Sequence, residues 1–225
     1  MRLRRKNSVI LLSEYFSVLE GKSNEFIEKK SRFIGFCSPI KDEKEALEIL
    51  EDKRREFKDA THNCWAYILK EDMSLQRYSD DGEPSGTAGI PILEVMKKEG
   101  ITNALCLVTR YFGGTLLGAG GLVRAYTKGA SLGIEAAKKV LMKDFIKMSF
   151  IYDYTFHGSI LNYLMKEGYI ILKENYMEKI ELIIDVAEED SKIIKDLNNL
   201  TSGKITIEER EKIILPTFEG KIIYK

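Results

Sequence analysis

RYFGGTLLGAGGLVR, running from Arg110 to Arg124, packs five glycines between a strand-like run and a helix-like run. Leu105 to Tyr111 is the short apolar stretch before it. Leu122, Ala125, Gly129, Leu132, Gly133, Ala136 and Val140 fall on one helical stripe after it. Glycine adopts backbone angles that other residues avoid, and a helix that starts just beyond such a turn leaves its first N–H groups unpaired and electropositive. An anion is the natural occupant of such a place. The candidate anion-binding residues are therefore Gly113, Gly114, Gly118, Gly120 and Gly121 through their amides, with Arg110 and Arg124 flanking the turn as sources of charge. Further along the helix, Gly129 and Gly133 each cost about 1 kcal/mol of helix propensity relative to alanine. Close approach of the helix to a sheet would explain both.

Two nucleotide motifs are tested and fail. Gly113 and Gly118 have the G-x-x-x-x-G spacing of a P-loop, but Ala119 and Gly120 stand where that loop needs Lys and Ser or Thr. Gly118, Gly120 and Gly121 do not complete a dinucleotide fingerprint, because Val123 occupies its last glycine position. A second unusual loop, SDDGEPSGTAG from Ser79 to Gly89, crowds acids, hydroxyls and glycines together. Asp80, Asp81 and Glu83 offer either a hard-cation or acid–base cluster, or a polar turn with helix-capping acids, and the second is favoured. Ser85 and Thr87 lie among small residues that suit an amide nest, with no general base fixed beside them. His62 and Cys64 share one face of a strand. His157 is the other of two histidines, so a multi-histidine metal site is excluded and His62 reads as a hydrogen-bonded structural residue. Trp65, Tyr78, Tyr111 and Phe112 could stack on bases, but aromatic residues flanking strands are usually core.

Composition sets the outer bounds. The chain has 225 residues, 44% of them hydrophobic, and Lys plus Arg and Asp plus Glu each total 35. A global excess of positive charge for nucleic acid is therefore excluded, while a local basic face is not. MRLRRK followed by SVILL imitates a signal sequence, but Ser8, Ser13 and Glu14 break the apolar run, and no other stretch is long enough to span a membrane. A cytoplasmic protein is expected. Cys37, Cys64 and Cys106 are odd in number and lack C-x-x-C spacing, which argues for buried thiols over disulfides or zinc. Neither a metal nor a cofactor is expected.

Residues 1–22 read as an N-terminal arm, 23–142 as a first domain and 143–225 as a second. In the first, Asn24 to Ser38 alternates like a strand pair, and Asp42 with Glu45 forms a capping box before an amphipathic helix reaching Phe57. Cys64 to Lys70 is a strand, and Ile92 to Lys98 a helix stopped at Gly100. Beyond Lys143 glycines thin out and Ile, Lys and Tyr increase. There the order is strand from Phe145 to Phe156, helix from Ser159 to Lys166, strand from Tyr169 to Lys173, strand from Lys179 to Val186, helix from Glu189 to Leu200, and strand from Lys204 to Ile214. This βαββαβ order is the ferredoxin-like one, so the fold class is α+β.

KKSRFIGF from Lys29, ATHNCWAY from Ala60, SDDGEPSGTAG from Ser79 and VTRYFGGTLLGAGGLVRAY from Val108 resemble the IMPACT family, in particular its bacterial YigZ branch. The resemblance extends from about Ser23 through the second domain. It implies a first domain with the fold of the second domain of a small-subunit ribosomal protein, including a left-handed βαβ crossover. It also implies a ferredoxin-like tail similar to the last domain of elongation factor G. In eukaryotic relatives this type of domain is joined to a protein-binding module and helps restrain the kinase that responds to amino-acid starvation. The family has no agreed catalytic residues. The expectation is thus a non-enzymatic, translation-linked protein that contacts RNA, the ribosome or a translation-associated protein through the glycine loop. The alternatives are an enzyme acting on a phosphorylated small molecule, with Asp80, Asp81 or Glu83 as acid or base, and a protein-interaction module using the open face of the second sheet.

Overall fold

The computed structural model describes residues 14–224. The chain divides into two units. One runs to Met142 and takes back Pro216–Lys221; the other holds Lys143–Leu215 and the residues from Ile222 onward. The first contains β1 (Glu14–Val18), β2 (Lys22–Glu28), β3 (Ser31–Pro39), α1 (Glu43–Glu56), β4 (His62–Leu69), β5 (Leu75–Ser79), α2 (Gly89–Lys98), β6 (Ala104–Tyr111) and α3 (Ala119–Ala136). Its sheet has the order β2-β3-β6-β4-β5, with each neighbouring pair antiparallel.

Alternation along the central strands fills both faces of this sheet. Phe33, Cys37, Cys64, Ala66, Cys106 and Val108 pack beneath α2 and α3. Phe36, Tyr67, Leu105 and Leu107 form a second cluster with Ala46 and Leu50 of α1. Burial on both faces is why Leu105 to Val108 reads as an unbroken apolar run. Asp42 Oδ1 accepts the Glu45 N–H at 2.8 Å, as a capping box requires, but the Glu45 carboxylate returns to the Lys41 N–H at 2.9 Å, one residue before the expected position. Such a cap contributes about 1 kcal/mol. The glycines of α3 do permit close approach: a Cβ on Gly129 would meet Val108 Cγ1 at 2.7 Å, and one on Gly133 the Gly35 carbonyl carbon at 2.9 Å.

Two of these strands escaped the sequence pattern. β1 lies in the stretch read as an arm and buries Val18; residues 1–13 of that arm fall outside the described residues. β5, LQRYS, is short and largely polar, and it exists as the hairpin partner of β4.

The second unit holds β7 (Lys139–Tyr152) from Lys143 on, a 3-10 turn (Tyr154–Phe156), α4 (His157–Glu167), β8 (Ile171–Tyr176), β9 (Ile180–Ala187), α5 (Lys192–Leu200) and β10 (Ile205–Phe218) as far as Leu215. Its strands lie in the order β10-β7-β9-β8. Met148, Phe150 and Tyr152 of β7 and Leu182 and Ile184 of β9 pack with Ile160 and Leu164 of α4 and Ile193 and Leu197 of α5. The expected strand ending at Phe156 stops at Tyr152, and the helix expected from Glu189 begins at Lys192. The molecule is thus mixed α/β with antiparallel sheets. Among the described residues no helix is long and apolar enough to cross a membrane.

All three cysteines are buried and unpaired. Cys64 Sγ donates to the Asp80 carbonyl at 2.9 Å, and burial, aided by the Glu83, Asp81 and Asp80 charges, raises its pKa to about 12. Native protein should therefore be inert to a thiol reagent at pH 8 and react fully only in denaturant; a native Cys64 that labels within minutes would contradict this burial. An unfolded thiol ionises near pH 8.5, so the folded state binds the extra proton. The contribution of Cys64 to stability is complete below that pH and is lost as pH rises toward about 12.

Candidate functional site

The two unusual loops border one cleft of about 400 Å³. Gly82, Glu83 and Pro84 come from the first loop, and Phe112, Leu116, Leu117, Gly118 and Ala119 from the second. His62 and Arg110 complete it from β4 and β6, where they are direct partners across the strand pair.

The first loop is shaped by its own acids. Asp80 Oδ1 accepts the N–H groups of Ala88 and Gly89 at 3.0 and 2.8 Å, and Oδ2 accepts that of Gly86 at 2.9 Å. This carboxylate therefore fills the amide nest at the start of α2, whose own N-cap Ala88 provides no side-chain bond. Asp81 Oδ2 accepts the Asn63 N–H at 2.6 Å. Asp80 and Asp81 thus serve the loop as capping acids, the reading favoured from sequence. Among the described residues no group of three or more His, Cys, Asp and Glu is placed to hold a metal. Thr87 is buried and donates to the Pro84 carbonyl at 2.6 Å, while Ser85 is exposed.

Glu83 turns inward. Its Oε1 accepts from Arg110 Nη1 at 2.6 Å and from the Tyr126 hydroxyl at 2.7 Å. Arg110 is 5% exposed, and its guanidinium lies against the rings of Phe33 and Phe112. It is thus a buried, paired cation and not the available surface charge expected from its place beside the glycines. Tyr126 carried no signal beyond helical spacing; burial and the nearby Cys64 and Glu83 push its phenol far above the ordinary tyrosine range. His62 Nδ1 lies 2.8 Å from the Asp81 carbonyl, which can only accept, so this nitrogen carries the proton. The other ring nitrogen, Nε2, faces Glu83 Oε2 across 4.0 Å.

The five glycines of the second loop divide by role. Gly113 packs against the Lys30 backbone, where a Cβ would lie 2.0 Å from the carbonyl carbon, and its N–H donates to Ser31 Oγ at 3.2 Å. Gly114 and Gly118 have φ of 80° and 73°, which favours glycine. Gly118 is the N-cap of α3 without a side-chain bond, and the Leu122 N–H closes the first turn on the Gly118 carbonyl at 2.9 Å. The amides of Ala119, Gly120 and Gly121 precede that bond, at the cleft end of an 18-residue helix. Arg124 does not line the cleft, although its Nη1 lies 3.6 Å from where a Cβ on Gly120 would be. It is exposed and lines a separate groove with Lys29 and Lys128.

Comparison with known proteins agrees with the motifs. Residues 29–134 match the Impact N-terminal domain, and residues 150–204 match a Domain of unknown function (DUF1949). IMPACT family member YigZ of Escherichia coli (strain K12) is 42% identical over 105 residues, 46% of this chain and 52% of that protein. A solved structure described as "Crystal structure of an hypothetical protein" superposes with a TM-score of 0.57 at 26% identity, covering 89% of this chain and 99% of the other. IMPACT family member YvyE of Bacillus subtilis (strain 168) is 41% identical over 202 residues, 89% of this chain and 93% of that protein. Likeness at that level along nearly the full length of both proteins shows that the chain belongs to the IMPACT family.

Proposed function

We propose that this chain is a non-enzymatic, cytoplasmic protein linked to translation, and that its cleft receives a phosphate of ribosomal RNA at the N-terminus of α3. One contrast carries the idea. The N-terminus of α2 is filled by the protein's own Asp80, whereas that of α3 has no side-chain cap and opens on the cleft. The translation link is supported by family membership, since the eukaryotic members restrain the starvation-responsive kinase. In the fold, β3 and β4 both run antiparallel to β6 and are joined through α1, which supports a crossover of the ribosomal-protein type. The order β10-β7-β9-β8 supports a ferredoxin-like second unit.

Ala119→Glu tests the cleft without harming the fold. A carboxylate in the first turn of a helix stabilises it by about 0.3–1 kcal/mol, yet here it would occupy and repel the anion's position. Co-sedimentation with ribosomes at low salt should weaken at least about tenfold, with the Tm unchanged or raised, while Ala119→Gln binds like wild type. Equal binding by Ala119→Glu and wild type would refute the phosphate site.

A second reading has one observation in its favour. His62 is fixed through Nδ1, holds Nε2 4.0 Å from Glu83 Oε2 and lines a cleft of small-molecule size, which suits an acid–base group acting on a phosphorylated metabolite. Turnover of a sugar phosphate or nucleotide that is lost in His62→Asn would establish it. No product from any such compound would retire it.

A further inference from the structure

On the other side of Leu117, which lines both hollows, lies a groove of about 190 Å³ bounded by Phe26, Lys29, Gly121, Arg124 and Lys128. Glu28 is the one carboxylate lining it. Lys30 adjoins it in the same turn, with its backbone held against Gly113. All four cations are exposed, and among the described residues none of Lys29, Lys30, Arg124 and Lys128 forms an ion pair. A balanced overall composition thus conceals a local basic face.

Lys29 and Lys30 are the two residues of the β2–β3 hairpin turn, where Glu28 pairs with Ser31. Their φ angles are 45° and 68°, the pattern of a type I′ turn, which strongly prefers Asn-Gly. Left-handed backbone costs a non-glycine residue roughly 1 kcal/mol or more, so folding alone does not favour two lysines here. The groove also lacks an anchor for a protein partner. The Phe26 ring is stacked on Phe33 at 5.2 Å, and Lys128 Nζ sits over it at 4.4 Å, so the ring is already engaged within the protein. Without an open aromatic or apolar pocket, the hot spot of a protein interface is missing, and what is offered is charge on flexible stems.

We propose that this groove binds the phosphate backbone of a nucleic acid, without base readout, through Lys29, Lys30, Arg124 and Lys128. The surface is separate from the cleft at α3, and each can fail alone. The probe is a fluorescein-labelled oligouridylate of about 20 nucleotides, bound to the full chain and followed by anisotropy. If three or four phosphates are neutralised, affinity should fall about 20- to 50-fold between roughly 50 and 200 mM salt.

Lys29→Asn with Lys30→Gly removes two charges while giving the turn its preferred residues, so the variant should be at least as stable as wild type. Its log–log salt slope should flatten by about 1.4. Arg124→Gln with Lys128→Gln should do the same from the helix side. Unchanged affinity and slope in both variants would overturn the groove, as would a glutamate polymer that binds as tightly as the oligonucleotide. Failure of the cleft would show instead as wild-type ribosome binding by Ala119→Glu.

Discussion

Gly35→Ala is expected to destabilise the first unit by about 3 kcal/mol or more, which would leave little of a typical domain's stability. An added Cβ would lie 1.8 Å from the Gly129 carbonyl oxygen and 2.7 Å from its carbon. Both partners are backbone, so no side-chain rotation can relieve the clash. Gly35 is in β3, paired with Val108 of β6 on one side and Asn24 of β2 on the other, which prevents the strand from sliding away. The helix must therefore lift, and with it the burial of Tyr126 and Ala130 would be disturbed. Gly120→Ala is the control: its Cβ meets only Arg124 Nη1 at 3.6 Å, and alanine favours the helix by up to about 1 kcal/mol. Urea unfolding should place the two variants on opposite sides of wild type. A Gly35→Ala midpoint indistinguishable from wild type would mean that α3 does not rest on β3.

The seat of α3 was half legible in the sequence. Gly129 and Gly133 declared a close approach because each weakens a helix and needs a compensating reason. Gly35 gave no such sign, since the same clash seen from a strand requires knowing what crosses it. The capping acid Asp42 was visible because capping is local; the return of Glu45 to Lys41 depends on how the chain enters the helix. β5 has too little apolar alternation to announce itself and is held by β4.

The site shows the same division between local and tertiary information. Each loop was recognisable from its glycines and acids, but their meeting follows from the pairing of His62 with Arg110 between β4 and β6. The two arginines, given one role by their positions on either side of the turn, part company in the structure. Arg110 continues the alternation of Cys106 and Val108, two residues at a time, onto the face covered by α3, so the strand period already carried its burial. Arg124 has helical neighbours and remains exposed beside Lys128. Nothing local identified Glu83 and Tyr126 as the partners waiting under that helix.

Arg110→Met is expected to cost about 3–5 kcal/mol, because it leaves the Glu83 carboxylate, 3% exposed, without its cation. The Tyr126 hydroxyl alone cannot replace a charge at 2.6 Å. Replacing both partners, Arg110→Met with Glu83→Leu, removes the isolated charge and should recover most of the loss. It is even free to exceed wild type, since Arg110 Nε is buried without a hydrogen-bond partner and the pair is therefore imperfectly satisfied. A double-mutant cycle in urea isolates the coupling. Stability lost by Arg110→Met and restored in the double variant, with ribosome binding still weak, would assign the pair a shaping role: it clamps the Ser79–Gly89 loop to β6 and so sets the cleft wall opposite α3. If Arg110→Met alone costs less than about 1 kcal/mol, water must reach Glu83 through the cleft, and the floor beneath His62 is wetter than its burial implies.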